Sequence, residues 1–399
     1  MSGANVAVLA SPAEALEAAQ RLAPGLAARA ARHDADGEFP SQDFAELRDA
    51  GLLGLFVPRR LGGPGASFSD YAAVALELGR AAGPTALVYN MHASVTGALA
   101  STPDALIQAL GGSNRALQER DRLLAAARDG SLFAVAMSER GVGARLSKLK
   151  TTYTREGEGF VLRGEKSFVS GAGHVDAYLV AARAAARDEP VVSYFFVPAG
   201  DGVRVEPSWD SLGMRATASH DVTFDVGLPL DALLGGVEGL ALLLAQVMPQ
   251  WLVASYAAVY VGVATAALEE AARQATARGL GRLPALRARL GRADAQIAAA
   301  RLCVLDAARA VDASPGTPAT NRAVWRAKLL AGDVAATVAS SMLEAIGASA
   351  SRRGNALERL YRDARCGALQ PATSDVCADY LGLAALGADP SAGADEARW

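Results

Sequence analysis

Apolar positions recur at helical spacing over residues 12–32, where Leu16, Ala19, Leu22 and Leu26 share one face and Ser11 stands ready as N-cap. Residues 41–50 repeat the pattern and stop at Gly51. Pro58 and the cluster Gly62-Gly63-Pro64-Gly65 deny regular structure to 52–71. Helical spacing resumes at 69–80, 82–100 and 104–128, and Asp129-Gly130 closes it. From 131 the period changes to two. Alternating segments at 133–137, 150–155, 160–163, 177–183, 191–197, 203–206 and 220–226 are separated by turn residues, among them 156–159 and Asp188-Glu189-Pro190. That pattern predicts a small antiparallel sheet or barrel. Helical spacing returns from 237 to 382 in four or five segments, broken at 279–284 and 312–317, with Asn355 and Glu358 placed as a capping pair. Residues 1–10 read as a loose terminus, and 384–399, which lose periodicity, as a mobile tail.

The changes of period divide the chain into an N-terminal helical domain at 1–130, a central β-domain at 131–236, a helical bundle at 237–388 and a tail at 389–399. At 399 residues, 51% hydrophobic, the chain can bury a core of two or three domains. A net charge of −3 favours neither nucleic acid nor an anionic membrane. Cys303, Cys366 and Cys377 lack metal-ligand spacing and the four histidines are scattered, so no metal site is expected. No basic-flanked apolar leader is visible, which fits a cytoplasmic protein. The stretch 239–268 carries no charge and is long enough to cross a bilayer. Gln246, Pro249, Gln250 and Ser255 interrupt it, so it reads as a helix buried in a bundle.

The motifs of 131–173 and 357–382 narrow the class. A strand runs into Ser138-Glu139-Arg140-Gly141-Val142-Gly143, a hairpin follows, and then Gly164-Glu165-Lys166-Ser167-Phe168-Val169-Ser170. Further on come Leu212-Gly213-Met214-Arg215, a strand, and Leu234-Gly235; the late helix carries Arg362-Asp363-Ala364-Arg365. In this order they resemble the acyl-CoA dehydrogenase superfamily. The resemblance covers about 41–382 and implies an α+β fold: N-terminal α-helical domain, central antiparallel β-domain, C-terminal four-helix bundle. It implies bound FAD, with FMN as the alternative if the chain is a monooxygenase. Val135, Met137 and Ser138 would line one side of the ring, Phe168 would pack on it and Ser170 would bond near N5. Arg278, Gly347, Thr373 and Asp375 stand at the remaining cofactor positions, although Arg278–Arg282 lacks the family's phenylalanine and Glu344 replaces its glutamine. The family assembles as homodimers or homotetramers, and its 52–71 loop lies near the acyl chain. No Rossmann or Walker loop competes: Gly141-Val142-Gly143 lacks a third glycine and a following helix.

The departures concern chemistry. In the dehydrogenases a glutamate after the Arg-Asp helix removes the α-proton of the thioester, and here that position is Pro371. A base is worth ~10²–10⁴-fold in such a step. His92 and Gln370 are the candidate replacements. The family's Gly-Ser at the CoA arm becomes Gly143-Ala144, followed by Arg145, which can meet a phosphopantetheine phosphate on a carrier protein. Three readings follow. The first is oxidation of the CH–CH bond of an acyl thioester, on CoA or a carrier protein, with a non-standard base and an unassigned electron acceptor. The second is a monooxygenase fed reduced flavin by a separate reductase. The third is a degenerate scaffold that binds flavin or acyl groups without redox chemistry.

Overall fold

A computed structural model of the chain describes residues 6–187, 189–251 and 255–390. Residues 1–5, the Asp188 corner of the expected turn, 252–254 of the uncharged stretch and the tail beyond 390 lie outside the described residues.

Six helices come first: α1 Pro12–Asp36, α2 Ser41–Asp49, α3 Phe68–Ala81, α4 Gly83–Ser101, α5 Asp104–Ala109 and α6 Asn114–Arg128. Ser11 caps α1 as expected, accepting from Glu14 N. Ser67 and Asp70 form a full capping box on α3. The expected helix at 104–128 is two helices, because Gly111 sits at φ 93° and ends the first. The expected loose start is also corrected. Ala7 N donates to Asp49 O at 3.0 Å and Leu9 is buried, so residues 7–9 lie against the end of α2.

Seven strands follow: β1 Phe133–Ala136, β2 Thr152–Glu156, β3 Gly159–Val169, β4 Ala177–Ala184, β5 Val192–Pro198, β6 Val203–Glu206 and β7 His220–Pro229. They form one sheet in the order β1-β4-β2-β3-β7-β6, with β5 on β4. Four pairings are antiparallel, but β4 pairs in parallel with β1 and β2, so the sheet is mixed. Long connections permit this, since only antiparallel neighbours can be joined by tight turns. β3 extends past the expected 163 and bulges between Lys166 and Val169.

Six more helices complete the chain: α7 Leu240–Val247, α8 Ala257–Ala277, α9 Pro284–Ala313, α10 Pro318–Ile346, α11 Ala356–Leu369 and α12 Ser374–Ala385. The uncharged stretch is therefore not one helix. Pro249 lacks a donor, and α7 gives way to a short 3-10 turn at Pro249–Trp251. Among the described residues the helix long and apolar enough to cross a membrane is instead α10, which packs among α8, α9, α11 and α12. Asn355 caps α11, accepting from Leu357 N, but Glu358 does not close the expected box. Its carboxylate takes Arg362 Nε at 2.6 Å, and Arg362 also grips Asp34 of α1 and Leu212 O. This buried guanidinium ties all three regions together. α3 and α8 cross closely enough that a Cβ at Gly79 would lie 2.4 Å from Val259 O.

Candidate active site

The chain leaving β1 enters a turn held by a buried ion pair. Glu139 N donates to Gly143 O at 3.0 Å, and Gly143 N returns to Glu139 O at 2.8 Å. The Glu139 carboxylate accepts from Lys166 Nζ at 2.8 Å, Lys150 N at 2.6 Å and Thr151 N at 3.0 Å. Burial opposes ionisation of Glu139, but Lys166 and the two amides more than offset it and hold the carboxyl below its usual range. Burial pulls Lys166 down to about 8 against the attraction of Glu139. Lys166 also donates to Met137 O at 3.2 Å, and Ser167 N to Ser138 O at 2.8 Å. The end of β1 and the bulge of β3 are thereby locked side by side.

That bulge presents Phe168. Its φ is +58°, rare for a residue with a bulky side chain, and its ring is 66% exposed, resting edge-on against Trp209 at 5.9 Å. The Ser138 hydroxyl is half-buried and bonds to no described residue. The neighbouring Ser167 hydroxyl is buried without a partner, a residue the motif alone did not single out. An exposed aromatic face, an uncommitted hydroxyl and the Met137 edge fit a flat, polar-rimmed flavin ring. Ser170 does not offer a free hydroxyl: it bonds Ser219 at 2.9 Å in a chain that continues to Thr217 and Met214 O.

Beside Met137 lies a cavity of about 90 Å³. Val135 and Met137 of the β1 end, Leu179 of β4 and Tyr194 of β5 form its floor. Ser94, Val95, Ala98 and Leu99 of α4 form one wall, and Leu240, Leu244, Met248 and Trp251 close another. Among the described residues no carboxylate or imidazole lines it, and the one charged residue that does, Arg120, is paired with Asp104 and Asp121. Phe56, from the irregular 52–71 loop, backs Trp251 edge-to-face at 5.0 Å, so that loop does support the pocket wall.

The candidate bases are placed as follows. His92 is fully buried on α4 with both ring nitrogens committed: Phe133 N donates to Nδ1 at 3.1 Å, and Nε2 donates to Leu53 O at 2.7 Å. Burial pushes it down to about 4, so it is neutral and structural, joining α4, the 52–54 turn and β1. Gln370 ends α11, and its side chain lies against the Tyr260 hydroxyl, with no well-formed hydrogen bond to Oε1 or to that hydroxyl among the described residues. Pro371 is exposed.

The remaining candidates fall into three places. Arg278 donates to Ile346 O at 2.9 Å and Ser349 at 3.2 Å, bringing it to Gly347, whose Cβ position is open. Thr373 caps α12 and Asp375 is exposed in its first turn. Gly143 and Ala144 sit on the clamped turn, where Arg145 Nε folds back to Val142 O at 2.9 Å.

Two helical regions flanking a sheet, with an aromatic-edged turn over an apolar cavity, define a flavin-dependent oxidoreductase. The chain belongs to the acyl-CoA dehydrogenase family: its N-terminal domain matches residues 14–103, its middle domain 134–226 and its C-terminal domain 251–379. L-evernosamine nitrososynthase from a Micromonospora species is 30% identical, with 92% of this chain and 88% of that protein covered. KijD3, solved with FMN and a dTDP-linked amino-keto sugar, is 28% identical with a TM-score of 0.82, covering 96% of each chain. The dibenzothiophene monooxygenase TdsC from Paenibacillus, solved with FMN, is 25% identical with a TM-score of 0.81, covering 94% of this chain and 97% of its own.

Proposed function

We propose that this protein is a reduced-flavin-dependent monooxygenase acting on a small apolar molecule. One observation carries the reading: among the described residues that line the cavity beside Met137 there is no carboxylate or imidazole to take a proton from carbon, and the Tyr194 phenol, pushed up by burial, stays neutral. Glu139 is spent on Lys166 and two amides, His92 on two main-chain groups, and Pro371 has no basic atom. Thioester dehydrogenation needs such a base. Oxygen transfer does not. One atom of dioxygen enters the substrate, the other leaves as water, and the flavin supplies both electrons after reduction by a separate reductase.

The chain's own residues orient and shield. Met137 and Phe168 would bound the flavin ring, and the Ser138 hydroxyl would be the donor available to the charge that reduction places on it. The Val135, Leu179, Leu244 and Trp251 walls exclude water. Arg278, turned onto its own chain, would leave the pyrophosphate of FAD with one contact fewer, which favours FMN. The family relationship across all three domains favours a second reading, dehydrogenation of an acyl thioester, with Gly143, Ala144 and Arg145 at the carrier arm. In either case assembly as a homodimer or homotetramer is expected.

The test is an anaerobic titration followed by an oxygen pulse. Oxidised flavoprotein mixed with acyl-CoA and acyl-carrier thioesters should keep its colour. Reduced flavoprotein given oxygen-18 gas and apolar substrates should yield a product carrying one labelled atom. Bleaching by a thioester would restore the dehydrogenase reading.

A further inference from the structure

The cavity's polar groups are almost all committed. Ser94 Oγ donates to Asn90 O at 2.8 Å and lies 3.1 Å from Ser255 Oγ. Thr102 Oγ1 donates to Ala98 O at 2.7 Å, and Arg120 holds Thr102 O, Asp104 and Asp121. Trp251 Nε1 donates to Ser101 Oγ at 3.2 Å. Tyr194 is the exception. Its side chain is buried on the cavity floor, its phenol is pushed up by burial alone, and its hydroxyl meets no described residue. A hydroxyl on the wall of an apolar cavity, accessible yet without a protein partner, can take its hydrogen bond from a bound molecule.

Register places it beside Met137. Tyr194 pairs with Ala181 on β4, and Ala136 of β1 pairs with Val180, so Met137 falls opposite Ala181 one step further on. Tyr194 and Met137 therefore share one face of the sheet, two strands apart, roughly 10 Å at the usual strand spacing. Both residues line the cavity.

We infer that Tyr194 is the specificity-determining residue of this cavity, which takes a small, one-ring apolar molecule carrying a single hydroxyl or carbonyl. The polar group bonds the phenol, and the far end of the molecule lies at the Met137 edge, where oxygen transfer would occur. This rests on the monooxygenase reading for its chemistry but not for its binding. A polyhydroxylated or phosphorylated ligand finds one partner here and leaves its other polar groups unpaired.

The probes are p-cresol and toluene, which share a ring and differ by one hydroxyl. They are titrated calorimetrically into the full chain with and without added flavin. Wild type should bind p-cresol about fivefold or more tightly than toluene, the factor expected of one net hydrogen bond. Tyr194→Phe, which removes only an unpartnered hydroxyl, should bring that ratio to about one while toluene binding stays unchanged. Ala98→Phe, which fills the cavity from α4, should abolish binding of both. Equal binding of the two probes to wild type, binding of neither, or a hydroxyl preference that survives Tyr194→Phe overturns the inference. A chain that binds no flavin yet keeps the Tyr194-dependent preference defeats the monooxygenase reading alone.

Discussion

Lys166 Nζ sits 2.8 Å from a Glu139 carboxylate oxygen, and neither side chain is more than 3% exposed. The pair joins the turn after β1 to the bulge of β3, and so fixes Met137, Ser138 and Phe168 relative to one another. Removing one partner leaves a buried charge uncompensated. Lys166→Met is expected to destabilise the chain by about 3–5 kcal/mol in urea unfolding. Adding Glu139→Gln should recover part of that loss, because the stranded charge goes with it. A double-mutant cycle without positive coupling would show that the pair does not hold the turn.

Gly97 faces the Trp251 ring so closely that a Cβ would lie 2.2 Å from it. Trp251 is boxed in by Phe56 and Phe68, both edge-to-face at 5.0 Å, so it has little room to yield. Gly97→Ala should cost about 1–3 kcal/mol through overpacking. It should also push the indole into the cavity and raise KM for any substrate that fits there. Steady-state kinetics beside thermal unfolding checks both effects.

Phe168 holds a left-handed backbone at a cost of roughly 1–2 kcal/mol. Among the described residues its one aromatic partner is the edge of Trp209, worth about 0.5–1.5 kcal/mol. Phe168→Gly therefore exchanges two similar quantities, and stability should stay within about 1 kcal/mol. Flavin affinity should fall at least tenfold, because the exposed face is lost. Flavin fluorescence titration reads this directly. A large stability loss with unchanged flavin affinity would mean that the ring serves the fold instead.

Asp363 is buried beneath Met214 N, which donates to its Oδ1 at 2.6 Å, and burial raises its pKa from 3.8 to about 6. The folded state therefore binds more protons than the unfolded one between these values. Asp363 contributes stability that is present below pH 3.8 and lost as pH rises through 6, about 3 kcal/mol in all. His92, pushed from 6.5 down to about 4, acts in the opposite sense: its contribution is lost as pH falls through that window. Asp363→Asn keeps the acceptor and removes only the first slope. Relative to wild type, the variant should gain stability progressively from pH 4 to pH 7. Denaturation midpoints at unit pH steps check the sign.

Much of this architecture was legible because it is local. Ser11 caps a helix that starts where the apolar period starts, and the switch from helical to two-residue period falls at 131, just before β1. The turn motif and the replacement of the base by Pro371 are also linear features. What misled was equally local. The uncharged run at 239–268 suggested one helix until Pro249 ended it. Asn355 and Glu358 had capping spacing until Arg362 claimed the carboxylate.

The sequence by itself determined the order of helices and strands, the family motifs and the loss of the glutamate, since these depend on residue type and spacing along the chain. Only the tertiary structure decided which side chains remain free. His92 looked available until Leu53 O and Phe133 N, 39 and 41 residues away, took its two nitrogens. Tyr194 looked like an ordinary strand residue until β1, β4 and α4 closed a cavity around it and left its hydroxyl unpaired. Hydrogen-bond commitment is settled by partners distant in sequence, so no local pattern could announce it.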